Sequence, residues 1–500
     1  MHPPAPPPQV AGAKPFSNES HTGEAIDRKT EEIFTDIGIT GLKSEMVFFP
    51  STDNGANMVL GWAPYGRAPC AVHTVQLSVG LYLNHVAIKP TRDKELGIVA
   101  HFQKSTGVDG LNGLRKCQRE TNLPEHDPPR DAATRWGGAH DQMNWFRYEQ
   151  RAVQLYDINH ARKAGDAYKQ HQMGLDDWLV NEQSVAVLQP YADWTSIMQA
   201  SKGYPTLPLV LPTVYNLIAG TAVAAPLLCS FVNVDDYELS PSEMDPGVLN
   251  ARTELYDNMV LRWVTNLDPK IKRIYAIATQ LHPAFKDYSF IDGLSFVAAS
   301  DKAWALAELK SEWKYNWKIK PLKPSVASSS SGMASLPAAD NLPLDATEPR
   351  LSPEVEMIDG SNPNEQAVQN AQEAAVEEVT ITGSKGNGDG TLSKKRKVSL
   401  GGLLKKSMGT SGTVEETDEL EKYLALPASD PEIDLLLWWK CNEPRFPKLA
   451  KMAKQYLAAP ASTAGVERVF SAAGRMHSDL RKSMKDSTLE HSLMAAFNTD

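Results

Sequence analysis

Cys70 and His73 stand one helical turn apart, a spacing at which a thiolate and an imidazole can share a metal ion. Two ligands do not close a site, and a buried cysteine beside a hydrogen-bonded histidine has the same spelling. Asp53-Asn54-Gly55 taken alone is a common turn sequence. Arg135 offers a guanidinium to a phosphate, and Trp136 beside it reads as core, as most tryptophans do. Lys394, Lys395, Arg396 and Lys397 form a compact basic cluster inside Ser393–Val398, with Lys405 and Lys406 following. Surrounded by acidic, low-complexity chain, that cluster is within reach of a nuclear import receptor and reads as a nuclear localisation signal.

The elements that carry these residues follow from periodicity and punctuation. Residues 45–50 (EMVFFP) read as a short buried strand, ending at turn residues 51–55. Helix is expected before it over 25–37, after it over Cys70–Tyr82, and through most of 140–310. Pro205, Pro208 and Pro212 mark a break, and a second strand is expected near Ala222–Val232. In the C-terminal region, Asp430-Pro431 reads as an N-cap with proline at the first helical position, ahead of Ile433, Leu436 and Leu437. Phe446-Pro447 starts a second helix whose Leu449, Met452, Ala453, Tyr456 and Leu457 recur at helical spacing. Pro460 stops it, a third helix runs from about Thr463 to Gly474, and Ser487-x-x-Glu490 opens a fourth, with Leu489, Leu493 and Phe497 turned inward.

Composition divides the chain. No Phe, Tyr or Trp occurs between Ile319 and Lys422, and residues 321–430 hold 17 acids against 10 bases. Chain of this kind buries too little apolar surface to offset about 1–2 kcal/mol of entropy per residue, so it reads as a disordered acidic linker. The net charge of −10 is set mainly there; residues 431–500 alone are +2, with 10 bases and 8 acids. The four cysteines never form a CxxC pair, which excludes zinc-finger spacing and suggests reduced thiols. The Pro-rich N-terminus has no secretory pattern, and the apolar runs are too short or too broken to span a bilayer.

Several blocks resemble the hAT transposase superfamily in order and spacing. They are Thr52 to Met58 (TDNGANM), Cys70-x-x-His73-Thr74-x-x-Leu77, Thr134-Arg135-Trp136, Leu188-x-Pro190, Pro205-Thr206-Leu207 and Leu281-His282-Pro283-x-Phe285-Lys286. The series continues with Trp438-Trp439-Lys440, Phe446-Pro447-x-Leu449-Ala450, Pro460-Ala461-Ser462 and Glu467-Arg468-x-Phe470-Ser471-x-x-Gly474. Two departures stand out: His282, where the family commonly has Asp, and Gly465-Val466, where it has a serine next to the Glu. The resemblance spans roughly residues 21–318 and 431–500.

It implies an α/β ribonuclease-H-like core, here incomplete, interrupted by a large all-α insertion, so that the whole is predominantly helical. The implied organisation is a disordered arm (1–20), a partial core (21–140), a helical insertion domain (141–320), the disordered linker (321–416) and a dimerisation region completing the core (417–500). The family's chemistry is two-metal-ion phosphoryl transfer on two Asp and one Glu. Asp53 and Glu467 match two of these carboxylates, as ligands for Mg2+ or Mn2+ if the protein is active. The segment bearing the first Asp, and the BED zinc finger, have no counterpart. In the family Cys70 and His73 would support the active site, and Arg135 and Trp136 would meet DNA. Trp438, Trp439, Leu449, Met452, Tyr456, Leu457 and Phe470 are the expected dimerisation residues. The expectation is a nuclear, self-associating, transposase-derived protein with remaining DNA binding, no working nuclease site and therefore no cofactor. An active transposase whose sequence is incomplete is the alternative, and a nuclear scaffold or transcriptional cofactor the third reading.

Overall fold

The computed structural model describes residues 20–36, 51–62, 67–129, 136–160, 166–199, 204–229, 236–318, 418–476 and 484–498. The arm at 1–15, the expected strand at 45–50, Arg135, the acidic linker and its basic cluster lie outside them.

Helix α1 (Gly23–Asp36) packs on the short α2 (Ala56–Gly61). Between and after them, β1 (Ser51–Thr52) pairs in parallel with β2 (Ala68–Pro69), Ser51 opposite Ala68 and Thr52 opposite Pro69. Ser51 and Thr52 therefore belong to the strand, and the expected turn begins only at Asp53. Helix α3 (Ala71–Leu83) follows β2 directly, and α4 (Lys89–Lys104), α5 (Leu111–Glu120) and α6 (Trp136–His160) come next. After the single turn α7 (Asp166–Lys169), the long α8 (Leu175–Gln199) runs to the proline-marked break. A 3-10 turn at Leu207–Leu209 leads straight into α9 (Val210–Thr221), and β3 (Leu227–Cys229) pairs antiparallel with β4 (Tyr237–Leu239). The two-stranded ladders β1–β2 and β3–β4 are the sheets found among the described residues.

Asp245 and Asp268 start the next two helices with their carboxylates. Each accepts two backbone N–H groups ahead of a proline at the first helical position, giving α10 (Pro246–Val260) and α11 (Pro269–Gln280). Helix α12 (Ser300–Glu312) continues through a π-helical turn to Lys318. The chain resumes with α13 (Glu419–Leu424), α14 (Leu435–Asn442), α15 (Pro447–Leu457), α16 (Ala464–Met476) and α17 (Asp486–Asn498).

The two stretches that flank residues 322–415 form one compact unit. Asp418 joins their edges: its carboxylate accepts Trp313 Nε1 at 2.6 Å and Lys318 Nζ at 2.7 Å, and also caps α13 through the Leu420 N–H. The described residues on either side of 319–417 are thus tied to each other. One core runs from α3 through α8–α11 to α13–α15; a smaller one gathers Phe102, Phe146, Tyr156 and Tyr168 among α4–α8. The architecture is predominantly helical, as expected.

Arg252 shows how this helical body meets its polar obligations. Wholly buried, it donates to the carbonyls of Gly220, Thr221, Ala222 and Ala225, groups at and beyond the end of α9.

Candidate functional site

The C-terminal edge of β1–β2 brings sequence-distant segments together. Asp53 opens the turn after β1 with its side chain exposed, and its Oδ1 accepts the Gly55 N–H at 3.1 Å. Arg67 braces the turn from the other strand, donating to Thr52 Oγ1, the Asp53 carbonyl and Asn54 Oδ1. Asn54 Nδ2 reaches Thr74 Oγ1 on α3 at 3.2 Å. Cys70, buried at the N-cap of α3, turns its thiol into an acceptor for two backbone donors at 3.4 Å each: His73 N in its own helix and Thr463 N from the far end of the chain. Ala71 N donates to the Ala461 carbonyl at 2.8 Å, and Ala461 N to Thr206 Oγ1 at 3.0 Å. Thr463 precedes α16, and its hydroxyl donates to Glu467 Oε1 at 3.2 Å. Both Asp53 and Glu467 are thus carried on segments that converge on the start of α3, and both are exposed.

These residues do not fit a pair of divalent ions. Among the described residues no group of three His, Cys, Asp or Glu side chains is placed to hold a metal. One oxygen of each carboxylate is engaged locally, and the Cys70 thiol serves as a cap. A zinc site on Cys70 and His73 lacks further ligands for the same reason. Trp136 is the first residue of α6; Arg135 lies outside the described residues.

A second convergence lies at the C-terminal end of α11, in the block Leu281–Lys286. The last carbonyls of a helix have no partner within it. Here the C-terminal region supplies them: Tyr423 OH donates to the Gln280 carbonyl and Trp439 Nε1 to the Leu281 carbonyl, each at 2.9 Å, and Ser429 N to that of Pro283 at 3.3 Å. The service is returned by Lys286, 4% exposed, whose ammonium donates to the carbonyls of Tyr423, Leu424 and Leu426 at the end of α13. Burial lowers the Lys286 pKa. His282 is fully buried; Ala284 N donates to its Nδ1 at 3.2 Å, so Nε2 carries the proton and faces Tyr204 OH at 2.9 Å. Tyr204 OH in turn donates to the Ile433 carbonyl at 3.4 Å. Burial pushes the His282 pKa down to about 4, which keeps the ring neutral. On the other side of α13, Glu419 Oε2 accepts the N–H groups of Lys448 and Leu449 and so caps α15.

This interlock takes in most of the residues expected at the dimerisation surface. Trp439, Leu449, Met452, Tyr456 and Leu457 are buried within their own chain, and Trp438 is partly buried. Tyr423, Trp438 and Trp439 meet ring to ring, edge-on or tilted, at 4.9–5.8 Å, with Phe446 6.2 Å from Tyr423. The amphipathic face of α15 is covered by α11 and the turn at 313–318. Of the expected set Phe470 alone is open, 69% exposed, with Val466 one turn before it at 53%. Leu436 and Leu437 are exposed as well, because α14 starts later than expected. Asp434, not Asp430, accepts the capping N–H from Leu437, so Leu435 and Trp439 face inward. Helix α17 likewise begins at Asp486, before Ser487, and buries Leu493 with Leu489 and Phe497 half-covered. Lys286, Tyr423 and Glu419 are the joining residues that sequence reasoning missed; the signal for Lys286 was the block Leu281–Lys286 itself.

Comparison with known proteins bears on the same region. Residues 419–498 match the hAT family C-terminal dimerisation region. The chain is 40% identical over 82 residues to the zinc finger BED domain-containing protein RICESLEEPER 4 of Oryza sativa subsp. japonica, covering 15% of this chain and 12% of that protein. It is 36% identical over 74 residues to DAYSLEEPER of Arabidopsis thaliana, another zinc finger BED domain-containing protein, covering 14% and 11%. With the protein named "Putative AC transposase" of Zea mays it shares 32% over 77 residues, covering 15% and 10%. The matched stretch is about a tenth of the length of these relatives. Over residues 419–498 the chain is similar to the C-terminal dimerisation region of hAT-family proteins, and the likeness found by these comparisons is confined to that region.

Proposed function

We propose that this hAT-transposase-derived chain acts by self-association through its C-terminal region, in the nucleus and on DNA, and not as a nuclease. The observation that carries the reading is the match of residues 419–498 to a dimerisation region whose helices are interlocked with the rest of the chain yet leave Val466 and Phe470 outside. A covered core fixes the shape of that surface, and an exposed Phe–Val pair on adjacent turns supplies apolar area of the kind that anchors an interface. A mass measurement on the full chain at micromolar concentration tests it: a dimer or larger species is expected, and a monomer contradicts it.

The loss of nuclease activity is proposed on the local engagement of Asp53 and Glu467 and their lack of a third carboxylate neighbour among the described residues. The alternative, an active transposase using Mg2+ or Mn2+ on Asp53 and Glu467, predicts nicking or joining of terminal-inverted-repeat DNA. If purified protein with Mn2+ does this and Asp53→Ala abolishes it, the inactive reading fails. Nuclear entry is proposed through Lys394–Lys397; a reporter fused to the chain should leave the nucleus when these four become alanine. The proposed organisation remains a partial core (21–140), a helical insertion (141–320), a linker (321–416) and the dimerisation region (417–500).

A further inference from the structure

The outward face of α15 and the turn before it gather several cations without carboxylate partners among the described residues. Residues 440–454 hold Lys440, Arg445, Lys448, Lys451 and Lys454 against one carboxylate, Glu443. Lys454 takes that carboxylate at 3.0 Å. Among the described residues no carboxylate lies within ion-pair distance of Lys440, Arg445, Lys448 or Lys451. Several other cations are paired: Lys89 with Asp93, Lys94 with Asp177, Arg115 with Asp127, Lys272 with Asp301 and Lys302 with Asp292. Such cations gathered in 15 residues of a chain whose net charge is −10 are not explained by solubility.

We infer that this face binds the phosphate backbone of duplex DNA without reading its sequence. Lys448, Lys451 and Lys454 succeed one another at three-residue steps, each about 4.5 Å along the axis and about 60° around it, so the three positions share one side of the helix over roughly 120°. The opposite, apolar side of α15 is buried, which leaves no groove for the hydrophobic anchor of an acidic peptide. The one aromatic on α15, Tyr456, is buried too, so no ring is offered on which an unpaired base could stack. What remains is a row of charges suited to a regular polyanion, a duplex carrying one charge per about 1.7 Å of axis. The choice of DNA as the polyanion rests on the transposase-derived reading above.

The test is fluorescence anisotropy of the full chain with a labelled random-sequence duplex, across a series of NaCl concentrations. Replacing Arg445, Lys448 and Lys451, three of the unpaired cations of this face, by Gln should lower affinity at least about tenfold at low salt. It should also make the slope of log affinity against log salt shallower by about 0.9 for each phosphate no longer neutralised. A matched triple, Lys89→Gln, Lys116→Gln and Lys302→Gln, removes the same charge from paired lysines and should leave the slope unchanged. Lys451→Glu alone, at an exposed position, should weaken binding with unchanged thermal stability. An unchanged slope in the unpaired triple, an equal loss in the matched triple, or a loss confined to single-stranded RNA or an acidic peptide would overturn the inference. None of these outcomes alters the mass of the protein, so failure here is distinct from failure of the self-association reading.

Discussion

The buried His282 makes the attachment of the C-terminal region sensitive to acid. In the unfolded chain the imidazole takes a proton as pH falls below its ordinary value of 6.5; in the folded protein it resists until about pH 4. Between those values the unfolded chain holds more protons, so the contribution is complete above pH 6.5 and is lost progressively as pH falls toward 4. The interval corresponds to about 3 kcal/mol at roughly 1.4 kcal/mol per pH unit. Other groups titrate in the same range, which is why the comparison must be with His282→Gln, whose neutral amide can still meet Tyr204. Urea unfolding followed by tryptophan fluorescence at pH 7.5, 6, 5 and 4 gives the stability of each protein. The gap between them should change by about 3 kcal/mol, with the natural chain losing more toward acid. Parallel curves would refute the reasoning, since they would mean that His282 is protonated or solvated in the folded state.

Other consequences are as direct. Lys286→Met should cost about 2 kcal/mol in urea unfolding, because it strands the carbonyls of Leu424 and Leu426. Arg252→Lys should cost about 2 kcal/mol in the same assay, since an ammonium cannot span the four carbonyls that the guanidinium fork reaches. Asp434→Ala should cost about 1 kcal/mol as the loss of a helix cap, with Asp430→Ala well below that; equal effects would restore the earlier helix start.

The helices of the C-terminal region were largely legible in the sequence, because Leu449, Met452, Ala453, Tyr456 and Leu457 recur with a period only a helix satisfies. What covers them was not legible. An amphipathic stripe is spelled the same whether it meets a second copy or, as here, the distant α11 of its own chain. The start of α14 was misplaced because Asp430-Pro431 and Asp434 are both acceptable caps, and the burial of Leu435 and Trp439 decides between them. Of the candidate site, Cys70, His73 and Glu467 were picked out by family pattern, yet the sequence could not show that the Cys70 thiol is occupied by Thr463 N. Lys286 carried no visible role because an isolated lysine in a loop reads as solvated until its depth is known.

Sedimentation equilibrium of the full chain and of Phe470→Glu, at about 1–50 μM as working concentrations, tests the central claim most directly. The account predicts a dimer or larger assembly for the natural chain, and a monomer with unchanged unfolding stability for the variant, because Phe470 is exposed within the chain. A natural chain that stays monomeric throughout, or a variant that associates as before, would contradict it.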